Sequence, residues 1–234
     1  MKTTETFAVF AIAATLVSSF IYFLVLERIK ADTREKTRTR LINLFVLRKL
    51  SGFIILGLVP DVIAALFFGF SMKNAGLVLG GTLALWPWLL GASAFFITLN
   101  FFNSKNPDIR AMYPELRLKA WDRNGLAIAI SGWVLYLSAY EYLFRGILLF
   151  ACLETCGVWL AVTINLALYA ALHLPKGMKE AIAAIPFGAL ICYLTIESGS
   201  IIPAIFLHSL QAVSAELFCI YRNPEMEFHL SKRN

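Results

Sequence analysis

Ala139-Tyr140-Glu141-Tyr142-Leu143-Phe144-Arg145-Gly146 places a carboxylate and a guanidinium inside an apolar run long enough to cross a membrane. At the bilayer centre each charge costs about 2.5–3.5 kcal/mol even on the lenient insertion scale, so such residues turn to the interior of a bundle, pair with one another and mark function. Glu141 and Arg145 stand at i and i+4 with the acid nearer the N-terminus, the better orientation for pairing across one helical turn. A buried structural ion pair would explain the two residues equally well if they stood alone.

They do not stand alone. Two further apolar segments each carry one histidine, in Tyr169-Ala170-Ala171-Leu172-His173 and in Leu207-His208-Ser209-Leu210-Gln211, and the third histidine, His229, lies in a polar tail. Every imidazole of the apolar region thus accompanies Glu141 and Arg145. An acid and two imidazoles are the residue types needed to activate water. On that chemistry Glu141 is the base, His173 its partner in orienting the water, Arg145 the group that holds the carboxylate and His208 an oxyanion donor.

Glu141-x-x-Phe144-Arg145-Gly146, Tyr169-x-x-x-His173, Phe187-Gly188, Gly199-Ser200-Ile201-Ile202-Pro203 and His208 resemble, in order and spacing, the motifs of the CPBP family of intramembrane proteases. That family includes the type II CAAX prenyl endopeptidases and bacteriocin-processing or immunity proteins. The resemblance covers roughly residues 125–222. It implies a metal-independent peptide hydrolase acting on a membrane-anchored protein or peptide near its C-terminal or anchoring segment.

Two positions depart from the family pattern, which has two adjacent glutamates and an asparagine four residues after the last histidine; here Tyr140 and Ala212 stand instead. The aromatic before a single glutamate, together with Glu180 and Glu216, resembles a myxosortase-like subgroup of sorting proteases. Glu216, two turns beyond His208, is a candidate second carboxylate. Asn165 recurs with Tyr169 and His173 at i, i+4 and i+8, which would return an amide to the site; interhelical hydrogen bonding explains it as well. Tyr140 offers a hydroxyl, and Glu180 is either a site acid or a first-turn partner of the helix dipole. Zinc is the alternative chemistry, since two histidines and a glutamate are its ligand types, but no short ligand spacing such as HExxH is present. No other cofactor is called for. The rival from another class is a non-catalytic CPBP-like membrane protein, an immunity factor or substrate-binding scaffold.

The whole composition agrees with a membrane bundle. Of the 234 residues 59% are hydrophobic and only 15% charged, with mean hydropathy +0.71, against about 25% charged in soluble domains. The pattern predicts an all-α, polytopic transmembrane bundle of about seven spans, each needing ~20 apolar residues. The spans begin near Phe7, Gly52, Leu77, Gly125, Val158, Ala181 and Ile201. Asp61, after Pro60 in the second, needs a partner. The chain divides into 1–124 with three spans, a 125–222 catalytic core and a polar 223–234 tail, within one structural domain. All Lys and Arg except Lys2, Lys73 and Arg145 fall in the segments that this topology puts on one side, which the positive-inside rule makes cytoplasmic, with the N-terminus outside and the C-terminus inside. The net charge of +6 therefore reflects topology and the lipid bilayer as a partner, and no nucleic-acid module is visible. Cys152, Cys156, Cys192 and Cys219 show no metal spacing. Counting ~1.5 Å per residue from the outer turns puts Glu141 roughly 20 Å deep, His173 about 24 Å and His208 only about 11–13 Å, depths that do not coincide.

Overall fold

The computed structural model describes residues 2–31 and 37–229. Arg34 and Lys36 of the first basic loop, and Lys232 and Arg233 of the tail, lie outside them. Helix α1 spans Lys2–Ala31 and α2 spans Arg38–Phe68. Helix α3 spans Thr82–Asn103, its first turn 3-10, and the short α4 spans Pro107–Met112. A helical stretch then runs over Arg123–Ala171, followed by α7 (Met178–Ser198) and α8 (Ile202–Arg222). Strands β1 (Ala120–Trp121) and β2 (Glu227–Phe228) pair in parallel and tie the C-terminal tail to the loop before the central helix.

Six of these segments are long and apolar enough to cross a membrane. Arg123–Ala171 has 49 residues, or ~74 Å at 1.5 Å per residue, more than twice a hydrocarbon core of ~30 Å. Gly157 breaks it with φ 76° and ψ 172°, a conformation that only glycine enters at little cost. We number the parts α5 (123–156) and α6 (158–171), so that the bundle has about six to seven spans. The basic residues 38–49 begin α2 and do not form a separate span, because the helix continues unbroken through a π-helical turn at Phe53–Leu58. Its 31 residues exceed the thickness of the hydrocarbon, so the amphipathic first turns stand on the basic face.

The third span starts later than the hydropathy suggests. Helix α2 ends at Phe68 on a left-handed Gly69, and residues 69–81 form a loop, so α3 begins at Thr82 and not near Leu77. The loop folds over the turn between α7 and α8. Gly81 N–H donates to Ser198 O (2.7 Å), Ile201 N–H to Gly76 O (2.9 Å) and Ser200 Oγ to Val78 O (2.5 Å). These bonds satisfy irregular backbone that would otherwise be unpaired at membrane depth. Gly146 of α5 admits the loop, since a Cβ there would lie 3.0 Å from Ala75 Cβ and its carbonyl oxygen.

Helix α5 is the axis of the bundle, packed by α1, α2 and α8, while α3 lies on α8 and α7 on α6. Every residue of its π-helical turn, Tyr142–Leu149, is buried. A π turn leaves a backbone group outside the ordinary ladder and is often found at functional sites. Here Asn165 Nδ2 donates to Phe144 O at 2.6 Å. On the basic face, Asp122 caps α5 by accepting from Gly125 N–H (2.7 Å) and binds Arg38 (2.6 Å).

The loop seal makes one expected outcome specific. Gly80 has φ +48°, and a Cβ on it would meet Ser198 O at 2.4 Å. Gly80→Val should lower the unfolding free energy in detergent by about 1–3 kcal/mol, read from the thermal midpoint; an unchanged midpoint would show that the loop is not seated there.

Candidate active site

Glu141 ends the regular part of α5, and the π turn that follows carries Arg145 one turn on. The pair forms as the spacing requires, with Arg145 Nη1 3.1 Å from Glu141 Oε2. Both side chains are fully buried. The second partner of the carboxylate comes from α8: His208 Nδ1 lies 2.5 Å from Glu141 Oε1. A carboxylate only accepts, so Nδ1 carries the proton and Nε2 is the remaining ring position. The guanidinium also lies over the ring of Tyr169, 4.5 Å from its centroid. Gly188 of α7 leaves room for this stack, because a Cβ there would come within 3.1 Å of Tyr169 Cδ1 and 3.5 Å of Arg145 Nη2.

Tyr169 stands between the two histidines. Its ring centroid is 4.6 Å from that of His173 and 6.2 Å from that of His208. His173 follows the end of α6, where its Nδ1 is 2.8 Å from Tyr169 O. A carbonyl cannot donate, so this imidazole too is protonated at Nδ1, leaving Nε2 as the basic nitrogen of its neutral form. Tyr140 and Phe187 complete the aromatic surround of His208, at 5.7 and 5.4 Å between centroids.

Both histidines line a cavity of about 590 Å³, together with Tyr140, Tyr169, Glu180 and Gln211. Its walls continue to Phe20 of α1 and Leu99 of α3, which are 63% and 40% exposed. The cavity therefore opens between α1 and α3 toward the lipid-facing surface. Glu141 and Arg145 are not on its wall. They form the layer behind His208, so a water in the cavity meets imidazoles before it meets the carboxylate.

The different depths counted along the sequence have a structural cause. Ser198, Ser200 and Ile201, at the turn between α7 and α8, are buried beneath the 69–81 loop. Counting from that turn as though it were at the surface places His208 too shallow. His208 meets Glu141, while His173 sits nearer the basic end of the bundle.

The other residues singled out in the sequence separate. Tyr140 is in the cavity wall, its hydroxyl buried and without a hydrogen-bond partner among the described residues. Glu180, in the first turn of α7, lines the cavity along with His173 and Pro175. Asn165 serves the π turn and does not reach the cavity wall. Glu216 is not brought to His208. Its carboxylate accepts from the backbone N–H groups of Glu115 (2.9 Å) and Leu116 (3.2 Å), and so anchors the loop before β1. Asp61 accepts from the Tyr142 hydroxyl. Ala212 faces the cavity where the family pattern has an amide, and next to it Asn100 of α3 donates to Gln211 O and Ser214 Oγ, both at 2.8 Å. A buried amide in an apolar span was the signal for Asn100. Among the described residues no group of three His, Cys, Asp or Glu side chains is placed to hold a metal ion.

Residues 122–214 match the model of a protein family described as Type II CAAX prenyl endopeptidase Rce1-like. No curated protein and no solved structure matches the chain. The matched segment runs from the cap of α5 to the middle of α8 and includes Glu141, Arg145, His173 and His208, the residues of the buried pair and the cavity wall. Over residues 122–214, less than half of its length, the chain is similar to the type II CAAX prenyl endopeptidases of the CPBP family of intramembrane proteases.

Proposed function

We propose that the protein is an intramembrane endopeptidase that hydrolyses a peptide bond near the C-terminal or membrane-anchoring segment of a substrate protein. The observation that carries this reading is the pair of imidazoles on one cavity wall, one bonded to a buried carboxylate and the other to a backbone carbonyl. Two like groups in unlike surroundings divide acid and base work between them.

In this scheme the neutral His173, with Nδ1–H given to Tyr169 O, takes a proton from water at Nε2 as that water attacks the scissile carbonyl carbon. His208 in its imidazolium form, its charge balanced by Glu141, donates Nε2–H to the oxyanion. The proton held by His173 then passes to the leaving amine. Glu141 positions His208 and Arg145 fixes Glu141, a support for the reacting groups in place of direct attack by the carboxylate. The engagement of Glu141 with both Arg145 and His208 favours this division over Glu141 as the base. In this reading the positive-inside rule makes the basic loops and the C-terminus cytoplasmic. Reporters inserted near Asp108 and near Asn74 should therefore read cytoplasm and exterior; the reverse would overturn the orientation.

The catalytic reading is tested by His173→Ala and Glu141→Gln in proteoliposomes containing a membrane-anchored substrate. His173 is only half-buried, so its loss should leave the thermal midpoint near wild type while kcat falls by about 10²–10⁴-fold, the range for a general base. Glu141→Gln should lower kcat to a similar extent and also destabilise, because it leaves Arg145 uncompensated in the core. A stable His173→Ala protein that cleaves at the wild-type rate would remove His173 from the chemistry.

A further inference from the structure

The cavity that holds the two histidines is lined by aromatic rings, aliphatic side chains, amides and hydroxyls, and one charged group. Among the described residues Glu180 is the only Asp, Glu, Lys or Arg on its wall. It stands in the first turn of α7. Among the described residues no side chain is hydrogen-bonded to Glu180 or ion-paired with it, and the neighbouring Lys179 is exposed and outside the cavity. The ion pairs between Lys or Arg and an acid among the described residues, by contrast, are closed within the protein: Arg145 on Glu141, Lys49 and Arg48 on Glu115, and Arg38 on Asp122.

The surroundings of Glu180 suit a cation. Tyr169, Phe187 and Tyr113 line the same cavity. The protein places its own cations on such rings, with Lys49 Nζ 3.2 Å from the Trp133 ring centroid and the Arg145 guanidinium 4.5 Å from that of Tyr169. A carboxylate and aromatic rings lining one cavity offer a cation both a salt-bridge partner and cation–π attraction. The location adds a third argument. Glu180 lies at the end of the bundle that carries the basic loops, level with the ends of α3 and α6, while the cavity opens sideways to lipid past Phe20 and Leu99. A membrane-anchored polypeptide entering by that opening carries Lys and Arg at this level, where they flank its apolar span.

Resting on the reading that a membrane-anchored polypeptide occupies this cavity, we infer that Glu180 is a specificity residue that binds a Lys or Arg side chain at the membrane-boundary flank of the substrate. The apolar part of the polypeptide lies along the α1 and α3 walls, and its basic flank reaches Glu180, next to His173. Binding at Glu180 sets which peptide bond is held against the imidazoles, and a substrate with Gln or Glu at that flank loses affinity and not chemistry.

The test uses the full chain in phosphatidylcholine vesicles and three synthetic peptides, each a single Leu/Ala transmembrane span with a fluorescent label and an Arg, Gln or Glu flank. Binding is measured by energy transfer and cleavage by mass spectrometry on the same samples. The wild-type protein should bind the Arg peptide about tenfold more tightly than the Gln peptide, the scale of a hydrogen bond to a charged group. Glu180→Gln should abolish that preference, and Glu180→Lys should reverse it in favour of the Glu peptide. Equal affinity of wild type for all three, or an Arg preference that survives both substitutions, would overturn the inference. Charge-selective binding without cleavage of any peptide would keep Glu180 as the recognition site and count against the protease reading; cleavage with no dependence on flank charge would do the opposite.

Discussion

The Glu141–Arg145–His208 network is the interaction on which the rest of the structure depends. Three ionisable groups lie in the interior of an apolar bundle, and taking even one of them out of water alone costs several kcal/mol. The carboxylate offsets this by meeting the guanidinium at 3.1 Å and the imidazole at 2.5 Å. A hydrophobic trio would pack at lower cost. The network is therefore better understood as a device that holds one imidazole in a fixed tautomer at a cavity wall than as a source of stability.

The surrounding fold follows from that requirement. For α8 to bring His208 to α5 at depth, the turn between α7 and α8 has to sit below the surface. The 69–81 loop makes this possible by giving the buried backbone of Ser198 to Ile201 its partners. Gly146 and Gly188 remove side chains where the loop and the Arg145–Tyr169 stack approach. The π turn displaces one carbonyl, and Asn165 reaches across from α6 to donate its Nδ2–H to Phe144 O. Each of these polar groups is a local answer to the same constraint, that polar atoms in an apolar medium be paired.

Much of this was legible in the sequence because lipid penalises charge so strongly that residue type alone carries information. Glu141, Arg145 and His208 stood out for that reason, and the structure brings them together. An all-α bundle of about six to seven spans was legible from span length, and Gly157 marks the break between α5 and α6. The 69–81 loop was not, since Leu77 and Leu79 are apolar and exposed, and at membrane depth an exposed apolar residue is as ordinary in a loop as in a helix. Glu216 shared a helix with His208 but is turned away round the helix, to backbone amides that no periodicity reveals. The layering of the site, with Glu141 behind the imidazole and Tyr140 on the cavity side, depends on how α5 is rotated against α8, which a single sequence leaves open.

The most direct measurement of the central claim is the protonation and bonding of His208 itself, read by nitrogen and proton NMR on histidine-labelled protein in lipid bilayers. The account predicts a proton on Nδ1 of His208 with a far-downfield resonance, the mark of a short bond to a carboxylate, which is lost in Glu141→Gln while the His173 signals stay in place. A His208 whose Nδ1 carries no proton, or whose resonance is unchanged by Glu141→Gln, would contradict it.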